Sequence, residues 1–184
     1  MLRSPSVPLA ALATLCSASA ATAALVGSAS LTANPLGGGQ FGYTATVSNT
    51  GTTTIGTFWF AWIPGQNYLP VLPTNITSPA GWTATIVGGS GAASIRWAAS
   101  SAASFINPGA SLGGFGFNAF ITPQAMDGFA QNFPTQRMAT SFFYSAGPFS
   151  DSGFQFIASV VPSPAGAAAV GLLLPAACLR RRRH

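Results

Sequence analysis

QFGYTATVSNTG, residues 40–51, is the stretch whose reading decides the fold. Phe41, Tyr43, Ala45 and Val47 fall on one side of an extended chain, and Gly42, Thr44, Thr46 and Ser48 on the other. That period of two belongs to a strand with one buried face. Asn49 and Gly51 supply turn chemistry at its end, and a second run, TIGTFWFAW, begins at once. The two runs are expected to be neighbouring antiparallel strands.

The pattern repeats in both directions. GWTATIV sets Trp82, Ala84 and Ile86 against Thr83, Thr85 and Val87, and GGSGAA leads from it into SIRWAA, where Ile95 and Trp97 face away from Arg96. A hairpin is the simplest account. After the Pro108-Gly109 turn comes LGGFGFNAFITP, with Phe115, Phe117 and Ala119 on one side, followed by TSFFYS and DSGFQFIASVV. Leu25 to Leu31 supplies a further strand. PGQNYLPVLPTNITSPA reads as an extended connection, and TPQAMDGFAQNFPTQRM as a loop with one short helical turn.

These runs predict an all-β fold, an antiparallel β-sandwich of about eight strands, with immunoglobulin-like topology among the compatible arrangements. Fourteen phenylalanines and four tryptophans suffice for its core. The domain is expected over residues 24–160.

Charge is scarce. The chain has seven arginines, no lysine, no glutamate and two aspartates, Asp127 and Asp151, for a formal charge of +5. Arg180, Arg181, Arg182 and Arg183 carry most of that charge. Between the termini, Arg96 and Arg137 balance the two aspartates. Two scattered arginines form no basic face, so no nucleic-acid partner is expected.

The only histidine is His184, which leaves the domain no imidazole for nucleophilic catalysis or a zinc site. Hydrolysis by paired carboxylates would have to use Asp127 and Asp151, both in turn-like settings. PLGGGQ and GGSGAA lack the lysine of a phosphate-binding loop and read as turns. No catalytic residue, metal or other cofactor is implied, and the domain is expected to be non-enzymatic. Among the aromatic residues, Trp59, Trp82 and Trp97 are expected mainly in the core. Trp62 and Tyr68 flank a loop and are the candidate carbohydrate contacts.

The N-terminus MLRSPSVPLAALATLCSASAATAAL has one charge, a short apolar stretch and small residues, the layout of a secretory signal peptide over residues 1–23. Its small-x-small cleavage pattern fits best at Ala21-Thr22-Ala23. Cys16 would leave with it. At the other end, residues 161–184 read VPSPAGAAAVGLLLPAACLRRRRH, an apolar run shorter than the roughly 20 residues that span a bilayer, interrupted by Pro175 and closed by arginines.

That tail resembles the PEP-CTERM sorting domain of exported bacterial proteins: VPSPA as the short motif, GAAAVGLLLPAACL as the hydrophobic helix, RRRR as the basic end. Pro162, Ser163 and Pro164 match the recognition motif by position, with Ser163 where the family has glutamate. The resemblance implies a membrane-bound exosortase as partner and transient membrane association through the C-terminal helix. It also implies release to the cell surface or matrix, in association with extracellular polysaccharide.

Overall fold

The computed structural model describes residues 23–163. Ala21, Pro164, Arg180 to Arg183 and both cysteines lie outside them, as do most of the signal peptide and the C-terminal helix. Among the described residues, no helix is long and apolar enough to cross a membrane.

The strands are, in chain order, β1 (Gly27–Gly37), β2 (Gln40–Asn49), β3 (Thr57–Phe60), β4 (Trp62–Ile63), β5 (Gln66–Asn67), β6 (Thr74–Thr77) and β7 (Trp82–Gly89). They continue as β8 (Ala92–Ala99), β9 (Ser111–Ala119), β10 (Phe129–Ala130), β11 (Phe133–Arg137), β12 (Thr140–Tyr144), β13 (Phe154–Ile157) and β14 (Ser159–Pro162). A single turn of helix, α1 (Pro123–Asp127), starts with Thr122 as its cap, the hydroxyl accepting from the Ala125 N–H at 3.2 Å.

Two five-stranded sheets form the sandwich. The first runs β14, β1, β2, β9, β6 and the second β13, β12, β3, β8, β7, with β4–β5 and β10–β11 as small hairpins. The pairs are antiparallel except at the edge where β1 meets β14 in parallel. The main sheets thus hold ten strands rather than about eight. The expected alternation in β2 holds, with Tyr43, Ala45 and Val47 buried and Thr44 and Thr46 exposed. The hairpin of β7 and β8 forms in continuous register from Trp82↔Ala99 to Gly89↔Ala92.

Several readings of the strand pattern need correction, and the stretch read as a loop with one helical turn also holds the β10–β11 hairpin. The run after β2 does not pair with it: β2 lies between β1 and β9, whereas β3 lies between β12 and β8 in the other sheet. The turn at Asn49 sends the chain across the sandwich. Residues 154–162 likewise form two strands in opposite sheets, separated by buried Ala158, whose N–H donates to the Ala139 carbonyl at 3.0 Å. Within the stretch read as an extended connection, Thr74–Thr77 pairs with β9 as an edge strand. Finally, β14 crosses the expected boundary at residue 160. Val161 and Pro162 pair with Thr32 and Ala33, and the Ser163 N–H donates to the Ala33 carbonyl at 3.0 Å.

The core is aromatic where the sheets face each other. Phe115 of β9 meets Phe58 (5.6 Å between centroids), Trp97 (5.7 Å) and Trp82 (5.1 Å), all three edge-on. Phe117 meets Phe60 at 5.3 Å. Offset and edge-on contacts suit the quadrupoles of aromatic rings better than a face-to-face sandwich.

Candidate functional site

In a two-layer sandwich only the inner face of each sheet must be apolar. The second sheet departs from this. One cross-strand row on its outer face reads Gln155, Phe142, Trp59, Arg96, Thr85. Tyr144 stands one step along on the same face of β12. Trp59, Trp62, Phe142 and Tyr144 form a hydrophobic cluster separate from the main core, with Val87 packed against it.

Trp62 reaches this cluster because strand alternation fails at Ala61, whose φ of 56° turns the chain back over the sheet. Its ring stacks on Trp59 at 4.1 Å and 20°, and Phe142 meets it edge-on at 5.8 Å. Trp62 is therefore only 4% exposed. Tyr68 is 2% exposed, edge-on to Phe133 at 5.3 Å, with its hydroxyl donating to Gln66 Oε1 at 2.8 Å. Neither presents a ring to solvent as the sequence suggested, because a position beside a loop is not thereby uncovered.

The exposed ring beside this cluster is Phe149. It is 63% exposed and lies 6.1 Å from Trp59, 5.9 Å from Trp62 and 5.5 Å from Tyr144. Its φ of 61° is in the left-handed region, which a bulky side chain adopts at a cost of about 1–2 kcal/mol. Loop 145–153 holds it there through Asp151. One carboxylate oxygen accepts from the Ser145 N–H at 2.8 Å, from the Ser145 hydroxyl and from the Ser150 hydroxyl at 3.5 Å. The other accepts from the Gly153 N–H at 2.6 Å. Gly153 has a φ of 66°, and a Cβ there would lie 1.9 Å from the Phe142 ring.

Burial pushes the Asp151 carboxyl up, but these hydrogen bonds outweigh it and hold the group below its ordinary value. A depressed carboxyl contributes stability above its unfolded pKa of about 3.9, and loses it as pH falls through the folded value. Asp151→Asn should therefore be less stable than wild type at pH 6, with the gap closing as the pH is lowered below about 4. Urea unfolding at both pH values checks this; a gap that does not narrow would remove Asp151 from its role as the loop's clamp.

Arg96 lies beside the cluster, its guanidinium carbon 5.5 Å from the Trp59 ring centroid. Such a cation–π contact contributes about 0.5–1 kcal/mol. Arg137 is spent elsewhere: its Nη1 donates to the Asp127 carboxylate at 3.0 Å and to the Asp127 carbonyl at 2.7 Å. Both aspartates thus have structural partners. No group of three His, Cys, Asp or Glu fit to hold a metal occurs among the described residues.

The remaining depressions offer less chemistry. One of about 330 Å³ beside α1 is lined by Pro70, Val71, Phe120 and Met138 among others, and the Thr122 hydroxyl on its wall is already the cap of that helix. Phe142, Tyr144, Phe149 and Arg96 were not among the candidates read from the sequence. A signal was present, because FWF and FFY are apolar at consecutive positions, and a strand that is apolar on both faces is covered on both.

No family model matches the chain, and no curated protein matches it. Among solved structures, an inactive mutant of a GH20 exo β-N-acetylglucosaminidase from Vibrio harveyi shares 12% identity at a TM-score of 0.40, over 74% of this chain. This chain spans only 18% of that enzyme's length. An uncharacterized protein from Nocardia farcinica with an immunoglobulin-like fold matches at 16% identity and a TM-score of 0.37, over 70% of this chain and 97% of that one. A biomass-sensing module of a putative Rsgi2 protein from Clostridium thermocellum, described as resembling a family 3 carbohydrate-binding module, matches at 13% and 0.34, over 72% and 88%. The chain is an all-β sandwich.

Proposed function

We propose that this chain is an exported, non-enzymatic protein of the cell surface or extracellular matrix, sorted by an exosortase-type transpeptidase through its tail. On this reading its sandwich holds polysaccharide on the outer face of the second sheet. One observation carries the binding role: Phe149, exposed and in a left-handed conformation, is clamped over a stacked Trp59–Trp62 pair on a face that the fold does not require to be apolar. Strain retained at an exposed aromatic is a reason to look for function there. A sugar ring presents an apolar C–H face that such a ring can stack on, while its hydroxyls remain in water.

The sorting role rests on the resemblance of residues 161–184 and on an N-terminal segment suited to export. Pairing of β14 adds a condition, since a cut before Pro162 would remove part of an edge strand. If export removes residues 1–23, the new terminus Ala24 already has a place: its N–H donates to the Thr52 hydroxyl at 2.8 Å, and its carbonyl accepts from the Thr52 N–H at 2.9 Å.

The test uses protein recovered from native cells, weighed by mass spectrometry and then titrated with the native exopolysaccharide. The expected mass corresponds to a chain starting near Ala24 and ending at or beyond Pro162; residues intact through His184 would overturn the sorting role. The expected titration changes tryptophan emission, because Phe149 rests on two indoles. Phe149→Ala should weaken binding about 3- to 10-fold, the loss of one aromatic contact, while Phe149→Tyr retains it. Unchanged emission and no retention on the polysaccharide would leave a purely structural protein.

A further inference from the structure

Three buried side-chain polar atoms have no hydrogen-bond partner among the described residues, and two of them belong to cross-strand neighbours: Nε1 of Trp59 and Nε of Arg96. Trp59 and Arg96 stand opposite each other in register on β3 and β8, with the guanidinium over the indole. Trp59 as a whole is only 3% exposed. Both orphaned atoms are donors, and neither side chain has an acceptor to offer. Of the five guanidinium donors, Nη2 reaches the Thr85 hydroxyl at 3.3 Å, the only hydrogen bond that the Arg96 side chain makes among the described residues.

The charge is as unmatched as the donors. Asp127 pairs with Arg137, and Asp151 is held by Ser145, Ser150 and Gly153. No carboxylate forms an ion pair with Arg96 among the described residues. An arginine and an indole that share a surplus of donors, in a chain with so few charges, are matched by an acceptor with a negative charge. A sugar hydroxyl would satisfy one donor and leave the charge as it was, whereas a carboxylate answers both, and the planar guanidinium can hold it through two parallel bonds.

We infer that Arg96 and Trp59 form a carboxylate-recognition point, so that the polymer held on this face is an acidic polysaccharide. Phe149 and Arg96 flank the same indole, which places one residue to stack on a sugar ring and the other to take its carboxylate. The inference rests on the polysaccharide reading above and narrows it to one substrate class.

The experiment titrates the full chain, at physiological ionic strength, with polygalacturonate and with the same polymer after its carboxyl groups have been reduced to alcohols, reading tryptophan emission. Polygalacturonate is expected to bind at least about ten-fold more tightly than the reduced polymer, one charge-assisted pair. Arg96→Gln should cut that preference about ten-fold, to what the arginine tail alone confers, and Arg96→Lys, which keeps the charge but not the fork, should restore part of it. Trp59→Phe, lacking the indole donor, should reduce it. Arg137→Gln removes the same charge elsewhere and should leave the preference intact, and the arginine tail contributes equally to every variant. Thermal unfolding establishes that each variant is folded. Equal affinity for the two polymers, or equal losses in Arg96→Gln and Arg137→Gln, would overturn the acidic specificity while leaving carbohydrate binding in place. No binding of either polymer would overturn the inference, and no response to the native exopolysaccharide would take the parent reading with it.

Discussion

Trp97→Ala is expected to destabilise the domain by about 3–5 kcal/mol, lowering the unfolding temperature by roughly 10–20 °C. Trp97 is fully buried on β8, stacked on Phe58 at 5.3 Å and 15°, and edge-on to Phe115 of the opposite sheet. Its indole N–H also donates to the Thr77 carbonyl at 2.9 Å. Thr77 lies on β6, the edge of the first sheet, so one side chain joins the two layers by packing and by a hydrogen bond. Truncation leaves a cavity and removes the donor that satisfies that carbonyl. Trp97→Phe separates the two effects: it keeps much of the volume, loses the hydrogen bond and should cost about 1–3 kcal/mol. Urea denaturation measures both. A Trp97→Ala domain within 1 kcal/mol of wild type would mean that the sheets are held together elsewhere.

Much of this arrangement can be read from local sequence. Period-two alternation identifies β2, β8 and β9 and the inward direction of Phe115, Phe117, Ile95 and Trp97, because side chains of a strand must alternate between faces. The short helical turn at Pro123–Asp127 follows from Thr122 and Pro123 at its start. Pairing is a different matter. Whether the chain after Asn49 turns beside β2 or crosses to the other sheet depends on contacts with residues 106–110, far away in sequence, which no local pattern encodes. The same holds for Ala158, where one apolar run serves two sheets. At the candidate site, the strand aromatics Trp59, Phe142 and Tyr144 were visible as apolar residues out of phase, but Phe149 lies in a turn. Its placement depends on the Asp151 clamp and on a left-handed backbone, neither of which has a periodic signature. Trp62 misled because a place beside a loop does not uncover a ring, and Ala61 turns this one back onto Trp59.

The crossing at Asn49 is where the second large effect is expected. Asn49 is buried, its side-chain amide donating to the Thr53 carbonyl at 2.7 Å and the Ile106 carbonyl at 2.8 Å, while its Oδ1 accepts from the Gly51 N–H at 3.0 Å. Its own backbone is bound to the Ala110 carbonyl and the Gly109 N–H, both at 2.9 Å. One side chain thus closes the turn that leaves the first sheet and ties it to the segment that brings β9 back. Asn49→Asp keeps the acceptor and replaces the donor with an oxygen facing two carbonyl oxygens. The expected loss at pH 7 is about 3–5 kcal/mol, that of a buried charge without a partner. Burial and the carbonyls would raise the new carboxyl's folded pKa above its unfolded value of about 4. The deficit against wild type should therefore grow as pH rises through that interval, and partly recover below it, where a protonated carboxyl can donate to one of the two carbonyls. Asn49→Ala loses the same bonds without a charge, so its deficit, about 2–4 kcal/mol, should not change with pH. Denaturation at pH 3.5 and pH 7 distinguishes them: parallel pH dependence of the two variants would show that the amide donors do not hold the crossing, and that the turn is fixed by its backbone bonds alone.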